Sequence, residues 1–434
     1  MKISKFVIAF EREGKAFLYN TATQAFFRIS NTDYTSISKA IAGEININDI
    51  PKELLDILKK KQCLDTDNNQ KAHEFCVKME YRKRFGSFSG RTLSLVIAPT
   101  LACNFACPYC YEANLPVTIM SEEVEDNIIR FIESYEGVCD NIEICWEGGE
   151  PLLAFDTIKS LYTKIESMTS LSIKRHLIVT NGYLLNSDIC KFFNEKKLNL
   201  AQITIDGKPD THNKSRILKS GKPTYDTIIK NIDLLTELVP DCKVVVRTNI
   251  HNGNKHEYGY LHTQLTNRWS GKNMRIAPAF VMDNGNCKVS CCSPREKSEF
   301  YKNLLTEHRI NKFNIAPRIQ TGRCSATAEH SYIIDPKGNI YKCWNDIGQD
   351  KLCVGTVKDG IKNNALIAKY IVGSDKYTDS ECLDCKLFPV CEGGCNRHRI
   401  DNRESGTNYN LCPFDEDGFC DSLYEFYKSK HHEA

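Results

Sequence analysis

The sequence predicts an α/β protein: a partial (β/α)₆ barrel, with a winged-helix-like domain before it and a cysteine-rich domain after it. Three observations lead there. From residue 91 on, six apolar runs (93–98, 142–146, 176–180, 201–206, 243–249 and 274–279) are strand candidates, separated by amphipathic runs at 122–135, 155–168, 187–196, 225–238 and about 257–266. Strands joined by connections this long are parallel with right-handed crossovers. Ahead of them, three short β-prone runs (3–10, 16–20 and 25–29) precede helical patterns, and behind them cysteines recur at short spacing.

The 434 residues suffice for two or three domains. The expected division is 1–85 for the first domain and its linker, 86–285 for the barrel, 286–323 for a bridging region with a helix at 294–308, and 324–434 for the last domain. In the first domain Tyr34, Ile37 and Ile41 mark one helix, and Leu54, Leu55, Ile57 and Leu58 after Pro51 mark a second. Residues 65–69 read as a polar turn, 73–85 as a linker with a solvated basic cluster at 82–84, and the tail 430–434 as a solvated end. A net charge of +2 gives no electrostatic case for nucleic acid or an anionic membrane. The apolar run after Met1 and Lys2 is cut by Glu11, Arg12 and Glu13, too early for a signal peptide or a membrane span, so a cytoplasmic protein is expected.

Twenty-one cysteines need an account. Disulfide-dense proteins are usually small and exported, so metal or cluster ligation is the better one, with the remaining cysteines serving as small buried hydrophobes. After the first barrel strand, Cys103, Cys107 and Cys110 are spaced C-x₃-C-x₂-C. Three thiolates can each take one iron of a [4Fe–4S] cube, leaving the fourth iron open to a small chelating molecule. Zinc or unligated core thiols are the alternatives, although the spacing lacks the paired pattern of a zinc module.

With Tyr109 just before the last cysteine, this stretch resembles the radical S-adenosylmethionine (radical SAM) superfamily. The resemblance implies a radical SAM barrel in which the amino and carboxylate groups of SAM chelate the open iron, and an electron from the cluster yields a 5′-deoxyadenosyl radical. It also implies a cofactor contact at Tyr109. At the end of the second strand, Gly148, Gly149, Glu150 and Pro151 match the family segment that holds the SAM amino group. Two glycines let backbone approach closely, and a proline ends strand pairing. Thr204 and Arg216 resemble contacts to the SAM ribose and carboxylate. Asp206-Gly207 reads equally as a turn, His212 as a packed residue, and Arg247 as a lumen residue whose acidic partner the sequence does not identify. No general base stands out.

The pattern Cys324-x₁₃-Gly338-x₄-Cys343, then Cys382-x₂-Cys385-x₅-Cys391-x₃-Cys395, then Cys412, resembles the SPASM domain with its two auxiliary [4Fe–4S] clusters. By that resemblance Cys382, Cys385, Cys391 and Cys412 hold the outer cluster, and Cys324, Cys343 and Cys395 the inner one. A zinc knuckle is the alternative. Sulfatase-maturing members have a further cysteine between positions equivalent to 324 and 343. This chain has none, so the fourth inner ligand falls to Cys353, Cys287, Cys291, Cys292 or a substrate thiolate. The first domain resembles the recognition element at the front of many peptide-modifying enzymes, where a leader peptide adds a strand to a sheet edge.

The whole implies a SPASM peptide maturase with three [4Fe–4S] clusters and SAM. Its partners are a precursor peptide held through its leader and an electron donor such as flavodoxin or ferredoxin. Its product is a thioether or another side-chain crosslink. The alternatives are a sulfatase-maturing enzyme that makes formylglycine, and a non-catalytic iron–sulfur carrier or sensor.

Overall fold

The computed structural model describes residues 1–113, 115–283, 287–310, 318–320 and 324–431. The bridging region 286–323 and the tail from Lys430 therefore lie partly outside the described residues. The chain divides into two compact units: Met1–Phe88 with Pro294–Cys324 and Lys369–Ala434, and Ser89–Ser293 with Ser325–Ala368.

In the first unit Lys2–Ile3 (β1) precedes an antiparallel sheet of Val7–Arg12 (β2), Lys15–Asn20 (β3) and Phe26–Ile29 (β4), in that spatial order. Asn31–Ala42 (α1) starts where the Ser30 side chain accepts from the Asp33 amide and stops at Gly43, whose φ of 76° suits glycine. Lys52–Lys60 (α2) follows, and Leu64–Asp65 (β5) returns to pair with β1. Side chains alternate along β3 and bury both faces of the sheet. Leu18 points to Ile37, Leu54 and Leu58 of the helices. Phe17 and Tyr19 point the other way, where they join Phe10, Phe26 and residues 419–427 further along the chain.

The expected linker is instead a helix, Gln70–Phe88 (α3). Ala72, Cys76, Met79, Lys83 and Ser87 recur at helical spacing and are buried. Asp65 accepts from the amides of Lys71 and Ala72 at 2.9 and 2.8 Å, so the residue opening the expected turn caps this helix and its carboxyl is held below the usual range. The basic cluster is only partly solvated. Arg84 pairs with Asp375 at 2.5 Å and with Glu80 at 3.0 Å.

The second unit is built on six parallel strands in sequence order, Thr92–Ile97 (β6), Asn141–Trp146 (β7), Ser172–Thr180 (β8), Leu200–Thr204 (β9), Lys243–Ile250 (β10) and Met274–Phe280 (β11). The connecting helices are Glu122–Glu133 (α4), Phe155–Met168 (α5), Ser187–Glu195 (α6), Pro209–Ser215 (α7), Tyr225–Leu238 (α8) and Tyr258–Arg268 (α9). This is the expected partial barrel, with its loops after the strands forming one rim. Pro294–Thr306 (α10) belongs to the first unit. Ser331–Ile334 (β12) pairs parallel with β6 and extends the same sheet through Asn339–Tyr341 (β13), Gly355–Thr356 (β14) and Gly360–Ile361 (β15). Residues 325–368 thus fold with the barrel. Asn364–Val372 (α11), Ser380–Asp384 (α12), Asn396–Glu404 (α13) and Glu416–His431 (α14) follow, and α14 supplies the aromatic residues that pack on the β3 face. No described helix is long and apolar enough to cross a membrane.

Inside the barrel wall, buried His176 accepts from the Trp146 indole at 2.9 Å and faces the Lys196 carbonyl at 3.0 Å through Nδ1. A neutral ring protonated on Nδ1 satisfies both, and burial pushes its pKa down to about 4.

Two outcomes follow. Phe17→Ala should cost about 3–5 kcal/mol in urea unfolding, whereas Tyr81→Ala, at an exposed position, should stay within about 0.5 kcal/mol. Unfolded histidine titrates near ~6.5 while His176 in the fold resists the proton, so its contribution is fully present above that pH and is lost as pH falls toward 4, with a slope of up to about 1.4 kcal/mol per pH unit. Urea midpoints measured from neutral to acid pH should fall less steeply in His176→Asn.

Candidate active site

The C-x₃-C-x₂-C loop leaves the end of β6 at the rim and is closed at its neck. The Leu101 amide donates to Thr118 O at 3.0 Å, the Met120 amide to Pro99 O at 2.9 Å, and the Thr100 hydroxyl to Thr118 O at 2.8 Å. Its far side is tied to the stretch after α7, with the Ala106 amide on Ile217 O at 2.8 Å and the Lys219 amide on Asn104 O at 2.9 Å. The Phe105 amide donates to Cys103 Sγ at 3.4 Å. Burial pushes the Cys103 thiol up to about 11 and the Cys110 thiol to about 12, with the neighbouring thiols adding to both. Iron reverses that preference by binding the thiolate. Three mutually close thiols, one already receiving an amide, fit a cluster. Among the described residues no three His, Cys, Asp or Glu side chains close round a single ion. Ligands on different irons of a cube stand further apart than that.

Gly148 and Gly149 pack closely against this loop. A Cβ on Gly149 would lie 2.2 Å from Ala102 O, and one on Gly148, at φ 111°, 2.6 Å from the Ala98 Cβ. The Glu150 amide then donates to Ala102 O at 2.8 Å. The Glu150 side chain is fully buried and accepts from the Thr180 hydroxyl at 2.6 Å, the Asn181 amide at 2.7 Å and the Leu152 amide at 3.0 Å. It therefore ties the end of β7 to the end of β8, although burial still pushes its pKa up. Pro151 opens a short helical turn behind it.

Asp206, one reading of which is a simple turn, is a buried hub. Asp206 accepts from the Tyr109 hydroxyl and, at 2.8 Å, from the Asn249 amide. Arg216 Nη1 donates to the Tyr109 oxygen at 3.1 Å, and its guanidinium lies 5.3 Å from the Phe105 ring centre. Among the described residues the buried Nε of Arg216 has no hydrogen-bond partner. An orphaned cationic donor beside the cysteine loop fits the carboxylate of SAM. Thr204 lies in register with Arg247 on the adjacent strand. His212 is packed: its Nδ1 accepts from the Asp206 amide at 3.2 Å, it meets the Tyr225 ring, and burial pushes its pKa down to about 3.

Sequence reasoning missed the acids beside the loop. Glu147 accepts from Tyr111 at 3.4 Å and is pushed up by burial and by Glu112; Arg247 opposes that shift, so Glu147 is its acidic neighbour. Glu112 itself is pushed up to about 7 by burial. The available signal was position: Glu147 directly precedes the Gly-Gly pair, and Glu112 follows Cys110 by two residues. Lys288 of the segment carrying Cys287, Cys291 and Cys292 donates its amide to Pro108 O at 3.1 Å, and the Cys287 and Cys291 sulfurs are 3.9 Å apart. Cys343 is buried in this unit, and the Cys353 thiol donates to Gly355 O at 3.0 Å.

The first unit holds the remaining candidate ligands. Cys382 is pushed up to about 11 by burial and by Cys391, Cys412 and Cys385, so these thiols lie near one another. The Leu387 amide donates to Cys385 Sγ at 3.4 Å and the Gly393 amide to Cys391 Sγ at 3.2 Å, which fits cluster ligation. Cys395 stands at the start of α13 near Cys324, with the amides of Arg397 and His398 on its sulfur.

A family model described as the radical SAM superfamily matches residues 97–259, from the end of β6 into α9. The chain carries a radical SAM domain. The cysteine-type anaerobic sulfatase-maturating enzyme of Clostridium perfringens (strain 13 / Type A) is 26% identical over 377 residues, 77% of this chain and 95% of that one. The serine-type anaerobic sulfatase-maturating enzyme of Klebsiella aerogenes is 25% identical over 328 residues, 68% of this radical SAM chain and 78% of its own. Among solved structures, native anSMEcpe with bound AdoMet has a TM-score of 0.59 at 20% identity, covering 77% of this chain and 96% of that one. Streptococcus suis SuiB bound to precursor peptide SuiA has a TM-score of 0.54 at 16% identity, covering 95% and 98%. At these identities the structures establish a shared fold.

In this radical SAM enzyme, Gly149→Ala should displace the cysteine loop at a cost of about 3 kcal/mol or more. Anaerobic reconstitution should then leave less iron bound than in the unaltered chain, while Gly90→Ala, with nothing within 4 Å, should load normally.

Proposed function

We propose that the chain is a SPASM-type maturase that oxidises a side chain in a peptide or protein substrate. SAM would lie on a cluster held by Cys103, Cys107 and Cys110, with its carboxylate toward Arg216, its ammonium toward the backbone at 148–151, and Tyr109 and Thr204 lining the site. When bound, cluster and cofactor supply hydrogen-atom abstraction; the chain supplies orientation and exclusion of water. Cys382, Cys385, Cys391 and Cys412 would hold an outer auxiliary cluster, and Cys324, Cys343 and Cys395 an inner one, fed by a donor such as flavodoxin or ferredoxin. The observation that carries this reading is the buried Arg216 with its open Nε beside the cysteine loop. A plain electron carrier has no use for that cation.

The sequence alone ranks a thioether or other crosslink first. The curated relatives back its alternative better, because those matched along most of their length are sulfatase-maturating enzymes. Conversion of a cysteine or serine side chain to formylglycine is therefore the finer reading they favour. One observation favours a precursor peptide instead. β4 is an outer strand of its sheet, and a cavity of about 470 Å³ beside it is lined by Phe27, Ile29, Asp33, Leu54 and Ile57. An extended leader added to β4 would gain main-chain hydrogen bonds and seat alternate side chains there. The extended coverage by the SuiB fold supports this second reading.

The test is anaerobic incubation of the reconstituted, reduced enzyme with SAM and, separately, a sulfatase-derived peptide and a candidate precursor, followed by mass spectrometry. An aldehyde captured by a hydrazide reagent is expected for formylglycine. Loss of two hydrogens with a cysteine no longer alkylatable would instead identify a thioether. SAM left uncleaved by fully loaded protein would overturn the enzyme reading.

A further inference from the structure

Two buried cations flank the outer cysteine set, and neither is explained by packing alone. Lys376 is 2% exposed and Arg399 1%. Lys376 Nζ donates to three carbonyl oxygens, Cys391 at 2.7 Å, Phe388 at 2.8 Å and Gln320 at 3.0 Å, and lies 4.4 Å from the Phe388 ring centre. All three acceptors are neutral. The neighbouring carboxylate, Asp375, is taken by Arg84 at 2.5 Å. Gly393, at φ 92°, lets the lysine stem pass behind the cysteine loop, since a Cβ there would lie 2.7 Å from Lys376 Cβ. Arg399 pairs with Asp379, donates to Gly393 O at 2.6 Å and reaches Cys382 Sγ at 3.7 Å, and among the described residues its buried Nε has no partner.

A buried cation needs compensating negative charge close by. Four thiolates on an iron–sulfur core carry net negative charge, and reduction adds one more, so nearby fixed cations favour the reduced state. We propose that Lys376 and Arg399 are positioning residues of the outer cluster that neutralise its charge and raise its reduction potential. The inference rests on the reading that Cys382, Cys385, Cys391 and Cys412 hold that cluster. The electron that SAM-driven oxidation leaves on the substrate would then have a ready acceptor.

The experiment is a redox titration followed by electron paramagnetic resonance on reconstituted full-length protein carrying Cys103→Ala, Cys107→Ala and Cys110→Ala. The outer signal is identified by its absence when Cys412→Ala is added. Arg399→Gln and Lys376→Met should each make the midpoint more negative by a factor of about ten in the reduction equilibrium, ~59 mV for one electron, and Arg399→Lys should restore most of the shift. An outer cluster with an unchanged midpoint in both neutral variants overturns the inference. No signal that depends on Cys412 in the parent protein overturns the cluster reading itself and the inference with it. Should the neutral variants fail to assemble the cluster, thermal melts of the cluster-free forms decide. Unaltered melting assigns the cations to the cluster, whereas loss of folding without it makes them structural and overturns the proposal.

Discussion

The approach of Gly148 and Gly149 to residues 98–102 leaves no room for a β-carbon, and the position of the cysteine loop depends on it. A contact made between two backbones is stiff in a way that side-chain packing is not, because no rotamer change can relieve or loosen it. The loop is thereby referenced to the end of β7, and through the Glu150 carboxylate to the end of β8. On its other side Tyr109 carries the reference to Asp206, and so to the ends of β9 and β10. One irregular segment is thus surveyed from four strands.

Buried charge does much of that work. Asp206, Glu150 and Arg216 are all withdrawn from water, and each is bearable only through several hydrogen bonds or an opposite charge. Such a network is costly to leave half-made, so it penalises alternative loop positions more than an apolar contact of the same size. Glu147 and Glu112 are different. They sit close to each other with Arg247 as the counter-charge nearby, and their carboxyls are held above the usual range. Burial pushes Glu150 and Asp206 up as well, but there several hydrogen bonds oppose the shift.

The barrel was legible because its strands are short runs rich in apolar residues that alternate regularly with amphipathic helical patterns, and because Cys103 to Cys110 and Gly148 to Pro151 fall at strand ends. α3 was not. Its buried stripe contains only Ala72, Cys76 and Met79 as apolar members, with the polar Lys83 and Ser87 buried beside them. Asp206 followed by glycine looks like a turn in any local reading, since what makes it a hub arrives from Tyr109 and Asn249. The alliance of residues 1–88 with 369–434 has no local signature either. Leu18 on one side and Phe17 and Tyr19 on the other show only that β3 has two apolar faces, not which helix covers the second.

That second face has a consequence for biogenesis. Phe10, Phe17, Tyr19 and Phe26 emerge early in synthesis, but their cover, Phe419, Leu423, Tyr424 and Tyr427, is made about four hundred residues later. At ribosomal speeds of roughly 5–20 residues per second this is tens of seconds during which an aromatic sheet face lies open. The nascent sheet is thus a natural client for a chaperone, and it completes its fold only after the barrel has been translated.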